Sequence, residues 1–83
     1  MPTMQKLSLE EFRLLLATEL QLDPALVKPE ASFVEDLLVD SIRMVDLLMR
    51  LEEMGMVLPL EDMWDVRTVE DAYRVYAQAV GET

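Results

Sequence analysis

The sequence contains no cysteine and no histidine, and only two glycines. Without cysteine there are no disulfides, no thiolate metal ligands and no thiol nucleophile. Without histidine the commonest general base and the commonest zinc ligand are both missing. A Ser-His-Asp triad is therefore impossible. Basic residues are scarce as well: seven Lys and Arg stand against 17 Asp and Glu, a net charge of -10. Such a chain repels phosphate backbones and anionic lipid, so neither nucleic acid nor a membrane is an expected partner. No apolar run approaches the roughly 20 residues of a membrane span. The first twelve residues lack the apolar core and cleavage site of a signal peptide, which points to the cytoplasm.

What is present is apolar: 52 % of the 83 residues are hydrophobic, too many for a disordered chain. The length suits one domain, residues 1–83, with a modest core and little room for a cleft that could tune carboxylates. An enzyme is not expected. The acidic surface fits a basic patch on another protein, or serves solubility alone.

Helix signals divide the chain. Ser8 followed by Glu11 is a capping box, with Leu7 and Phe12 placed for a hydrophobic staple. Leu9, Phe12, Leu16 and Leu20 then recur at helical spacing, so a first helix is expected over 8–22. Asp23-Pro24 favours a further single turn. A long loop follows, and a loop of this length needs anchors, for which Phe33 and Leu37 are the candidates. A second helix is expected over 41–54, stopped by Gly55, then a short helical turn over 60–64. A last helix is expected over 68–80, with Thr68 and Asp71 forming a capping-box analogue and Gly81 ending it. The run Met56 to Leu58 is too short to build a sheet. The expected class is all-α: a four-helix bundle with three main helices and a short third one.

The second helix carries two apolar strips. On a wheel of about 100° per residue, Met44, Leu47, Leu48 and Leu51 form a core stripe within roughly 100°. Ile42, Val45 and Met49 form a second strip centred roughly 130° from the first. Arg43, Asp46, Arg50 and Glu53 fill the remaining arc. The second strip either packs on neighbouring loops or docks a partner, apolar at its centre and charged at its rim. Ser41 stands where this helix begins, with Asp40 as its cap. The pair could be a cap and no more. A hydroxyl there is also well placed to bear a phosphate, which the helix N-terminus favours. Trp64 is expected in the core, with the alternative that Met63 or Trp64 rims a groove for cargo or partner.

The stretch "FVEDLLVDSI" resembles the attachment motif of acyl and peptidyl carrier proteins. "LDPALVKPEASFVEDL" is similar to that family's first loop, and "LPLEDMWDVRTVEDAY" to its short third helix and the start of its fourth. The resemblance covers most of the chain and implies a four-helix bundle. It also implies that Ser41 bears 4′-phosphopantetheine, transferred from coenzyme A by a separate Mg²⁺-dependent transferase. The working thiol then lies on the cofactor, which accounts for a carrier without cysteine. Asp40 and Ile42 flank the modified site, and Val45, Asp46, Met49, Glu52 and Glu53 match positions that often meet partners. Those partners are a phosphopantetheinyl transferase, a loading ligase or acyltransferase, and a downstream transferase or synthase. The chain is expected to be a monomeric, free-standing carrier, since its ends lie close to the helical region with no linker.

This sequence departs from the family pattern at named positions. Leu38 stands where glycine is usual; a positive φ is uncomfortable for leucine, so a different turn is expected, with Leu38 offering apolar contact to a partner. Arg43 and Arg50 make the second helix less uniformly acidic. "DSIRM" is closer to carriers of aminoacyl or aryl groups than to the fatty-acid type. These features point to specialised-metabolite assembly, such as polyketide or nonribosomal peptide antibiotics, with acyl or aminoacyl cargo. The competing reading is a non-catalytic helical interaction module whose Ser41 is unmodified or phosphorylated.

Overall fold

The computed structural model describes residues 7–56 and 58–81; the N-terminal segment, Val57 and the last two residues lie outside the described set. Three α-helices carry the fold: α1 (Leu9–Leu20), α2 (Ser41–Glu53) and α3 (Val69–Gly81). Two 3₁₀ segments, Pro24–Leu26 and Leu60–Asp65, lie between them. The expected short third helix is thus a six-residue 3₁₀ segment.

Local chemistry sets the helix ends. Ser8 and Glu11 form a reciprocal capping box at the start of α1. The helix stops two residues before the expected position, because Gln21 turns left-handed at φ 58°. The N–H groups of Gln21 and Leu22 then satisfy the carbonyls of Thr18 and Ala17. Asp23 caps the Pro24 turn, its Oδ1 accepting from the Ala25 N–H at 2.9 Å. Arg13 ties that turn to α1, donating to the Val27 carbonyl at 2.6 Å and the Pro24 carbonyl at 2.8 Å. Gly55, at φ 91°, ends α2. Its N–H meets the Glu52 carbonyl, and the Met56 N–H meets that of Leu51.

Thirteen apolar side chains are buried among the described residues, and no polar one is. Phe12, Leu16 and Ala17 come from α1, Leu47 and Leu51 from α2, and Val69, Ala72 and Tyr76 from α3. The other five, Val27, Ala31, Phe33, Leu37 and Val39, come from the segment between α1 and α2. That segment is therefore part of the core and not a loose connection. Its backbone is also tethered to α3. Phe33 donates to the Arg67 carbonyl, and Val69 and Glu70 donate to those of Ala31 and Pro29. Ser32 and Thr68 form an isolated antiparallel bridge, with no strand named among the described residues.

Three aromatic side chains, Phe12, Tyr73 and Tyr76, form one cluster. Phe12 stacks on Tyr76 and meets Tyr73 edge-on, both at 5.5 Å between centroids. Both tyrosine hydroxyls find polar partners on Leu7. Its N–H donates to Tyr76 Oη at 2.7 Å, and its carbonyl accepts from Tyr73 Oη at 2.8 Å. The segment entering α1 is thereby fixed to α3.

Candidate functional site

The site is built by the loop that leads into α2. Ser32 closes its first turn: its N–H donates to Asp36 Oδ2 and its Oγ accepts from the Glu35 N–H. Phe33, Leu37 and Val39 point into the core, so Val34 and Leu38 face solvent. The Val39 N–H donates to the Phe33 carbonyl at 2.7 Å and closes the loop.

Leu38 adopts φ 57°, the left-handed conformation, and its side chain is 76 % exposed. The expectation of a different turn is therefore wrong. Leucine itself takes the left-handed turn here. Two buried neighbours explain this, since Leu37 and Val39 must both face inward and the residue between them takes the remaining geometry. The conformation costs a non-glycine residue about 1–2 kcal/mol, which the burial of those neighbours, each worth about 1.5–3 kcal/mol, exceeds.

Asp40 caps α2 from extended backbone (φ -83°, ψ 179°), and its Oδ1 accepts from the Arg43 N–H at 2.8 Å. Ser41 follows as the first helical residue and is exposed. The N–H groups of Ser41 and Ile42 meet no acceptor among the described residues. An exposed hydroxyl thus stands at the positive end of a 13-residue helix.

On α2, Leu47 and Leu51 are buried, Met44 packs against the core and Leu48 is half-buried. The second strip is exposed: Ile42 at 78 %, Val45 at 51 % and Met49 at 57 %. Arg43, Asp46, Glu52 and Glu53 are exposed around it. Arg50 is held by Asp46 at 3.3 Å and Glu19 at 3.6 Å, so much of its charge is spent within the chain. The Arg43 guanidinium makes no ion pair among the described residues.

Trp64 is 85 % exposed, so its expected place in the core is wrong. The inward positions go to its neighbours: Met63 in the 3₁₀ segment and Val66 just after it pack against the core, and the indole points outward. An open groove of about 570 Å³ is lined by Phe33, Val34, Met44, Val66 and Arg67.

The sequence did not reveal that Val34 is exposed or that Val39 turns inward. Both are settled by the register of the loop on the core, which has no helical period to reveal it.

Away from Ser41, the Asp71 carboxyl is held below its ordinary value. The Arg67 N–H is the main cause, and partial burial opposes it; Thr68 and Arg74 add to the lowering. Thr68 Oγ1 accepts from the Asp71 N–H, and Asp71 Oδ2 from the Thr68 N–H, both at 3.2 Å. The capping box expected at α3 is formed.

The geometry defines a class: a small helical domain that presents one serine hydroxyl at a helix N-terminus, beside an exposed apolar strip. The family described as "Phosphopantetheine attachment site" matches residues 10–75. An acyl carrier protein of Thermosynechococcus vestitus is 45 % identical over 64 residues, 76 % of this chain and 79 % of the relative. An acyl carrier protein of Rubrobacter xylanophilus is 45 % identical over 65 residues, 77 % of this chain and 80 % of the relative. One of Syntrophobacter fumaroxidans is 38 % identical over the same length and shares. The chain belongs to the acyl carrier protein family. The cofactor this implies is covalently attached 4′-phosphopantetheine.

Proposed function

We propose that Ser41 bears the 4′-phosphopantetheine arm and that α2, with the loop before it, is the surface partner enzymes read. The observation that carries this is the exposed Ser41 at the first position of α2, on a loop fixed by three buried side chains. The fit to the group is good. A phosphate on Ser41 Oγ meets unpaired N–H groups and the positive end of the helix dipole, and nothing needs to be displaced from the core. When attached, the arm supplies a terminal thiol that holds cargo as a thioester.

The chain's own residues orient and advertise this hydroxyl. Asp40 fixes the start of the helix, and Ile42, Val45 and Met49 offer apolar docking area. Asp46, Glu52 and Glu53 attract basic partners, while Arg43 presents an opposite charge that selects against uniformly basic ones. The protein is then a substrate of successive enzymes: the phosphopantetheinyl transferase, a loading ligase or acyltransferase, and a downstream transferase or synthase. The domain works as a monomeric carrier in the cytoplasm. Its cargo is an acyl group, a reading supported by the acyl carrier names of its relatives. Leu38 and Arg43 support a specialised pathway, polyketide or related, over primary fatty-acid synthesis.

Incubation with coenzyme A, Mg²⁺ and a promiscuous phosphopantetheinyl transferase, followed by intact mass, tests the attachment. The expected result is one phosphopantetheinyl adduct on the wild type and none on Ser41→Ala. No adduct with several transferases, or a phosphate alone on Ser41 from cells, would return the domain to an interaction module. Loading with acyl-CoA donors against aminoacyl adenylates tests the cargo.

A further inference from the structure

Every sulfur atom of the chain itself is a methionine thioether, since there are seven methionines and no cysteine. The described methionines fall into two groups. Met44, Met56 and Met63 are partly buried and packed against the core. Met49 and Met54 are exposed, at 57 % and 45 %. A peroxide in solution reaches the exposed pair first, because a thioether reacts through a sulfur lone pair that the oxidant must touch.

The two exposed methionines are not equivalent. Met49 lies one turn after Val45, which is exposed as well, so the two side chains are neighbours on the outer face of α2. Met54 is the C-cap of α2, about 140° round the helix from Met49. Oxidation at Met49 therefore alters the apolar strip, and oxidation at Met54 alters only a helix end.

The step is a two-electron oxygen transfer. The Met49 sulfur bonds to one oxygen of hydrogen peroxide while the O–O bond breaks, and the other oxygen leaves as hydroxide. The proton on the transferred oxygen passes to that hydroxide, giving water and a neutral sulfoxide. Sulfur is oxidised and the peroxide reduced. In the free domain the new S–O dipole points into water and costs the fold little. Under an apolar partner surface it is a polar group without a donor, which disfavours docking. Methionine sulfoxide reductases restore the thioether.

We propose that Met49 is a reversible oxidation switch on α2: a peroxide converts its thioether to the sulfoxide and weakens partner docking without unfolding the domain. The proposal rests on the reading of α2 as the surface that partner enzymes meet, and adds a way of regulating it.

The test uses the protein before the arm is attached, so that no cofactor thiol consumes oxidant. Treatment with hydrogen peroxide is followed by peptide mass mapping, melting, and kinetics with the phosphopantetheinyl transferase. Met49 and Met54 are expected to gain oxygen before Met44, Met56 and Met63. The melting temperature stays within about 3 °C of the untreated protein. The value of kcat/KM falls about tenfold, through KM, as the loss of one apolar anchor does, and a methionine sulfoxide reductase with a dithiol restores it. Each variant is compared with its own untreated sample. Peroxide changes Met49→Leu less than twofold and lowers Met54→Leu as much as the wild type. A loss in Met49→Leu equal to that of the wild type overturns the proposal. So does oxidation of Met44 as early as Met49, or a fall of more than about 10 °C in melting temperature, which would make the loss one of folding. An untreated wild type that takes no adduct overturns the attachment reading, and this proposal with it. A normal untreated adduct with kinetics unchanged once Met49 is oxidised sinks this proposal alone.

Discussion

The Val39 N–H donates to the Phe33 carbonyl at 2.7 Å, and this bond closes the loop that delivers the chain to Ser41. Both side chains are buried, so the closure is held by packing as well as by the hydrogen bond. The orientation of the serine is thereby coupled to the core.

Phe33→Ala should cost about 3–5 kcal/mol, because it leaves a cavity under the loop and the 83-residue domain cannot refill it. Chemical denaturation checks the stability. Modification of Ser41 should fall beyond the loss in folded fraction, since the loop loses its anchor.

Asp40→Ala removes the acceptor for the Arg43 N–H at the head of α2. The expected loss is about 1 kcal/mol, seen as a fall of roughly 4–8 °C in melting temperature. Asp40→Asn, which keeps a capping oxygen, should recover most of it.

Met49→Glu tests the second strip. Met49 is exposed, so stability should stay within about 0.5 kcal/mol of wild type. Loading or transfer by a partner enzyme should nevertheless drop. A loss of several kcal/mol in denaturation would place Met49 in the core instead and defeat the docking role.

Asp71 gives a pH signature. Its carboxyl is lowered in the folded state, chiefly by the Arg67 N–H, so its contribution is fully present above its unfolded-state pKa. That contribution fades as pH falls through the lower, folded pKa, in the acid range below about 4. Asp71→Ala should be about 1 kcal/mol less stable at pH 7. The gap should close as the solution is acidified through that window, which melting curves at successive pH values will show.

Much of this was legible locally. Ser8 with Glu11 and Thr68 with Asp71 sit three residues apart, and their side chains reach backbone groups within one turn. Nothing distant is needed to form them. The two strips of α2 follow from a fixed angle per residue, and the exposed second strip matches the wheel. Ser41, the proposed attachment residue, stands out in the sequence because Asp40 and Ser41 lie in a stretch that resembles the carrier attachment motif.

Other features depended on residues far apart in the chain. The sequence alone determined which segments are helical, where their N-terminal caps fall and which serine heads α2, because those are short-range properties of backbone and side chain. The tertiary structure alone decided that Leu38 takes the left-handed turn and that Trp64 points to solvent. Each lies in an irregular or 3₁₀ segment, where the side that faces inward is set by what its neighbours can bury. Leu37 and Val39, and likewise Met63 and Val66, filled the available core and left Leu38 and Trp64 to the surface.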